Sequence, residues 1–135
     1  MDVMWIATDP DSRRLSFTER RTSPADYIAR IEALLAAGEG YSEVHRADQQ
    51  YPLLALSFRG GYGVVHQFSA QDKVLLLVGD GVLDAHETVL VPVQNDVADV
   101  PFSGDYVLSA EHAWTVVKDF LRDGAVENLG EWQKM

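Results

Sequence analysis

The sequence predicts an α+β fold: one curved antiparallel sheet of about six to eight strands, with two helices packed on one of its faces. Three observations carry that expectation. Two segments place apolar residues at helical spacing between recognisable caps. Five segments between them show strand periodicity. The links joining those five are too short for crossover helices, so neighbouring strands should run antiparallel. At 135 residues and 47% hydrophobic content, a single domain over residues 1–135 can bury one sizeable core, and 24% charged residues is ordinary for a globular chain.

Val3–Ala7 and Arg14–Thr18 are short alternating pieces around the turn-rich Asp9-Pro10-Asp11-Ser12, and read as an opening hairpin. Ser23-Pro24-Ala25-Asp26 then starts a helix. Ser23 can cap it, Pro24 suits the first helical position because its missing N–H costs nothing there, and Asp26 favours the positive helix end. Tyr27, Ile28, Ile31, Leu34 and Leu35 form its apolar stripe, and Gly38 and Gly40 end it.

After the helix the period changes. Tyr41–Arg46, Leu53–Phe58, Gly63–Phe68, Lys73–Val78 and Thr88–Val93 are the five strand candidates. Asp48-Gln49-Gln50, Arg59-Gly60-Gly61, Ser69–Asp72 and Asp80–Glu87 separate them, which predicts a meander. Asn95–Gly104 reads as an acidic loop and Tyr106–Leu108 as one more short strand. The second helix begins at Ser109 with Glu111 near its positive end. Ala113, Trp114, Val117, Phe120 and Leu121 make its buried stripe, and Gly124 stops it. A short strand ends the chain near Leu129–Trp132; Trp132 is expected to cover the sheet edge, with a place in an interface left open.

Composition removes several classes of function. The chain has no cysteine, hence no disulfide framework, thiolate nucleophile or Cys-ligated zinc. The start Met-Asp-Val-Met-Trp lacks the basic and apolar regions of a secretion signal, and the longest apolar run, Val74–Val78, is far short of the roughly 20 residues that span a bilayer. A cytoplasmic location is the expectation. The formal charge of −10 is uneven: residues 1–70 hold 9 acidic and 7 basic side chains, whereas residues 71–135 hold 12 and 4. An acidic half repels phosphate backbones, so nucleic-acid binding is not expected. It would speed association with a basic protein, although simple solubility explains the same charge, and both readings stay open.

The search for chemistry finds little. His86-Glu87 lacks the second histidine of a zinc-protease helix. His45 and His66 lie in strands, at positions that often face solvent, and His112 lies in the first turn of a helix. Gly60-Gly61-Tyr62-Gly63 lacks the lysine and hydroxyl of a phosphate loop and joins two strands, so it reads as a hairpin turn. No catalytic residue, metal site or cofactor is expected.

One resemblance goes further. Leu75-Leu76-Leu77-Val78-Gly79-Asp80-Gly81, the helix Ala113-Trp114-Thr115-Val116-Val117-Lys118-Asp119-Phe120-Leu121 with Asp123-Gly124, and the closing Trp132 together resemble the first family of immunity proteins described for bacterial polymorphic toxin systems. The match covers roughly the last 60 residues. Ala125-Val126-Glu127-Asn128 stands where that family has a proline-containing turn. The resemblance implies a non-enzymatic inhibitor that binds a cognate toxin, often a nucleic-acid deaminase. Such a toxin needs a cationic cleft, so charge selects Asp80, Asp84, Glu87, Asp96, Asp99 and Asp105 as contacts, with Tyr62 and Tyr106 as aromatic anchors. The face around Tyr41–Asp48 is the alternative. Two other classes stay open: a small-molecule-binding or scaffold module, marked by a roomy apolar pocket with converging polar groups, and an enzyme, marked by perturbed side chains in a cleft near His45, His66 or His86.

Overall fold

The computed structural model describes residues 1–94 and 99–135 in full and residues 95–98 by backbone course only. The fold is α+β, with a curved eight-stranded antiparallel sheet, two helices and a small second sheet. The strands are β1 (Val3–Ala7), β2 (Arg20–Thr22), β3 (Glu39–Arg46), β4 (Leu53–Arg59), β5 (Tyr62–Ala70), β6 (Lys73–Leu77), β7 (Thr88–Val93), β8 (Asn95–Ser103), β9 (Leu108–Ser109) and β10 (Trp132–Lys134). The helices are α1 (Pro24–Ala37) and α2 (Ala110–Asp123). The main sheet runs β10-β6-β5-β4-β3-β1-β2, with β9 added beside β5, and β7 pairs β8 separately.

Both helices form where local chemistry directs them. The hydroxyl of Ser23 accepts the Asp26 N–H at 3.1 Å, and that of Ser109 accepts the His112 N–H at 3.1 Å, each satisfying an otherwise orphaned donor. Gly38 (φ 101°) and Gly124 (φ 71°) close them in the left-handed conformation that glycine adopts without penalty. The two helices share one face of the sheet. Tyr27, Ile31 and Leu34 from α1 and Ala113, Trp114, Val117, Phe120 and Leu121 from α2 pack there on Val3, Trp5, Val44, Leu54, Leu56, Phe58, Val65 and Leu77. At Gly63 the approach is so close that a Cβ would lie 2.8 Å from that of Ala113.

The opposite face is covered as well, which the strand pattern did not reveal. The β7–β8 hairpin crosses it, burying Val91 and Phe102 against Val64, Leu76 and Val107. Beside it Leu15 packs with Tyr41 and Ala55. Four departures from the sequence reading accompany this second cover. Arg14–Thr18 is not a strand: Asp9 accepts the N–H groups of Asp11 and Ser12, the chain turns there, and a single Thr8–Leu15 bridge remains while Leu15 enters the second core. β1 instead takes Arg20–Thr22 as its outer partner. Residues read as an acidic loop belong to β8, where Pro101 is tolerated because β8 is an edge strand. The meander is thus β3 to β6, and β7 leaves it. Among the described residues no helix is long and apolar enough to cross a membrane.

Phe120 is 1% exposed at the centre of the helix-side core. Truncation to Ala should destabilise the fold by about 3–5 kcal/mol, measurable by urea denaturation. A loss under about 1 kcal/mol would contradict this packing.

Candidate protein-binding site

The main sheet ends on one side in a rim built from three segments. β6 stops at Leu77, and the chain from Val78 to Glu87 folds against residues 104–107. Gly79 N–H donates to the Asp105 carbonyl at 2.6 Å, Asp80 N–H to that of Val107 at 3.4 Å, and Gly104 N–H to that of Glu87 at 3.0 Å. Gly104 is required at this crossing, since a Cβ would stand 2.2 Å from the Asp84 carbonyl oxygen. β9 sets Ser109 opposite Tyr62, which brings the start of β5 to the same rim. Six of the eight residues selected from sequence therefore meet here: Tyr62, Asp80, Asp84, Glu87, Asp105 and Tyr106.

These six are not equivalent. Asp80 is committed internally. Its carboxylate accepts the N–H of Val82 at 3.0 Å, that of Ser109 at 3.2 Å and Nδ1 of His112 at 2.8 Å. Partial burial alone would push the Asp80 carboxyl up; hydrogen bonds from His112, Ser109 and Val82 outweigh it and hold it below its usual range. Asp84 ties its own loop through the His86 N–H at 2.9 Å but is exposed. Glu87 and Asp105 are exposed and carry no ion pair among the described residues. Tyr62 and Tyr106 are half-buried, each packed against the second-face core.

Asp99 stands apart from this rim and is already paired. Its two oxygens receive both terminal nitrogens of Arg59 at 2.7 and 3.0 Å, and those bonds hold its carboxyl low. Counting from Ser103, it lies four residues along β8, about 14 Å at strand rise. Arg59 also reaches the Leu90 carbonyl at 2.8 Å and Glu39 at 3.0 Å, so it latches the hairpin to the main sheet. This latch was missed in sequence because Arg59 sits in what reads as a turn. Asp96 lies outside the described residues.

The histidines divide differently from the sequence reading. His45 and His66 do not face solvent. His45 is 9% exposed, with Nε2 3.2 Å from Glu19 and Nδ1 2.8 Å from the Gln49 carbonyl. His66 is 6% exposed, and its Nδ1 has no hydrogen-bond partner. Phe102 meets its ring edge-on at 5.4 Å. Burial pushes the His66 imidazole down to about 4. The parity it shares with Val64 and Phe68 was the available signal. Among the described residues no group of three His, Asp or Glu side chains could hold a metal ion. No protein-family model matches the chain, and no curated protein matches it.

The buried imidazole sets a pH dependence. Unfolded, His66 would titrate near its ordinary 6.5, whereas folded it stays neutral until about 4. Between these values the unfolded chain binds the extra proton, so stability is fully present above pH 6.5 and falls as the pH drops towards 4, by up to about 3 kcal/mol. In His66→Leu that component should vanish, and the variant should match or exceed the wild type at pH 7, because an unsatisfied buried nitrogen is removed. Urea denaturation of both proteins at pH 7 and pH 4.5 measures it. Equal pH sensitivity in the two would refute this assignment.

Proposed function

We propose that the protein is an immunity protein, which binds a cognate bacterial toxin in the cytoplasm and neutralises it by occluding its active site without catalysis. The observation that carries this reading is the rim itself, where exposed Asp84, Glu87 and Asp105 share one backbone-stitched edge with half-buried Tyr62 and Tyr106. Carboxylates around aromatic anchors suit a partner whose cleft is lined with Lys and Arg, as a nucleic-acid-targeting toxin requires. The likeness of the C-terminal segments to immunity proteins supports the same reading, as does the excess of acid in residues 71–135.

The geometry narrows which carboxylates should be tested. Asp80 holds Ser109 and His112 at the start of α2 and Asp99 holds Arg59, so changing either disturbs the fold. Asp84, Glu87 and Asp105 are the exposed set. Reversing all three to Lys should slow association with the cognate toxin domain by about tenfold or more at low salt, and added salt should slow the wild type. Tyr106→Ala should act instead on dissociation, as truncated anchors do, with a loss of about 2 kcal/mol. Stopped-flow kinetics at two salt concentrations decide the matter. An on-rate indifferent to both salt and the triple reversal would place the interface elsewhere, and absence of any complex would overturn the proposal.

A further inference from the structure

The two covers of the main sheet differ in how firmly they are held. Among the described residues, the helix side buries twenty apolar side chains in one cluster and the hairpin side five. β7 and β8 pair with each other and with no strand of the main sheet, so side chains hold the hairpin down. Its latch is the Arg59 guanidinium, at the surface, on the Leu90 carbonyl and the Asp99 carboxylate. Two buried polar atoms on the covered face have no hydrogen-bond partner. Ser57 Oγ belongs to a residue set between Tyr41 and Val64 in the sheet register, and Val64 shares its cluster with Val91 of the hairpin. His66 Nδ1 belongs to a ring between Ala55 and Leu76, met edge-on by Phe102 of the hairpin at 5.4 Å. The closed hairpin keeps both groups from water without giving either a partner, and lifting it hydrates them.

We propose that the β7–β8 hairpin is an acid-sensitive flap, which lifts from β4 and β5 as one unit while the helix-side core stays folded. Its hinge is the hairpin base, where Gly104 N–H donates to the Glu87 carbonyl at 3.0 Å. A two-stranded hairpin is marginal by itself, and elements with little buried apolar surface open well below the cost of global unfolding. Protons favour the open form. Burial pushes the closed His66 imidazole down to about 4, whereas in water it titrates near 6.5, so opening between these values takes up a proton. The ionisable groups beside His66 in the cleft at the hairpin tip are Tyr41 and Asp72, and Glu43 accepts the Tyr41 hydroxyl. Its neighbours from β4, β6 and β8, Ala55, Leu76 and Phe102, carry no charge. The latch itself survives mild acid, because Arg59 holds the Asp99 carboxyl below its usual range.

Native-state hydrogen exchange, followed by NMR on the intact chain, tests the flap. The amides of Val89, Val91, Val100 and Phe102 should share one protection factor, about tenfold or more below that of Phe120 in α2. That shared factor should fall about twentyfold from pH 7 to pH 5, as the two His66 values require. His66→Leu should abolish this fall. Ser57→Ala, which removes an unpartnered hydroxyl, should raise hairpin protection several-fold at both pH values, and serves as the test should His66→Leu not fold. Ile31→Val thins the helix-side core; it should lower Phe120 protection about fivefold and leave the hairpin amides unchanged. The inference is overturned if the hairpin amides fall together with Phe120 in Ile31→Val, if their protection is equal at pH 5 and pH 7, or if neither His66→Leu nor Ser57→Ala alters it.

Discussion

The burial of β3, β4 and β5 on both faces is the constraint from which the rest of the molecule follows. Alternate residues of β4 serve different cores: Leu54, Leu56 and Phe58 meet the helices, while Ala55 and Ser57 lie under the other cover. A sheet apolar on both sides cannot stand with helices on one side alone, because the second face would remain in water. The β7–β8 hairpin and Leu15 supply the missing layer. A two-stranded hairpin is marginal by itself, so its attachment matters as much as its pairing. Arg59 provides that attachment, joining the start of β3, the middle of β7 and β8 through one guanidinium. With Asp99 it makes the bidentate geometry that lysine cannot reproduce.

How far this was legible in sequence depends on the range of the interaction concerned. Both helices, their caps and the β3–β6 meander were readable because Ser23, Pro24, Gly38, Ser109 and Gly124 act on neighbours a few residues away. The second cover was not readable. Runs such as Leu53–Phe58 suit a strand buried on one side or on two, and the acids and Pro101 of β8 mimic a loop. The same range limit explains the site. Asp80 lies in a Gly-Asp-Gly turn that locally predicts an exposed carboxylate, yet it holds the cap residue Ser109 and the His112 ring of a helix that begins thirty residues later. His66 has apolar neighbours of equal parity, but only the hairpin's presence turns that parity into burial.

Charge and fold meet at the Val78–Glu87 segment. Its backbone is fastened at Gly79, Asp80 and Glu87 to residues 104–107, while the side chains of Asp84 and Glu87 point no internal bond at their neighbours beyond the His86 turn. Carboxylates on a stitched frame lose little conformational freedom when a partner arrives, a condition for rigid recognition surfaces. Asp80 contributes to the same edge differently, by anchoring the frame to the start of α2.

The addition of β9 to β5 and of β10 to β6 has a consequence for how the molecule assembles. Both strands come from downstream of the whole hairpin, yet they complete strands laid down before it. The central meander can form from neighbours in sequence, but the outer edge of β6 stays unpaired, and the second face bare, until distant segments return. Topologies dominated by such distant pairings fold slowly, with loop closure preceding the contacts that reward it. During that interval Leu75, Leu76 and Leu77 present an open apolar strand, the kind of template on which chains associate wrongly. Folding of this protein is therefore a race between closure of its own late strands and pairing with another copy, and the strongly acidic composition slows the second by repulsion.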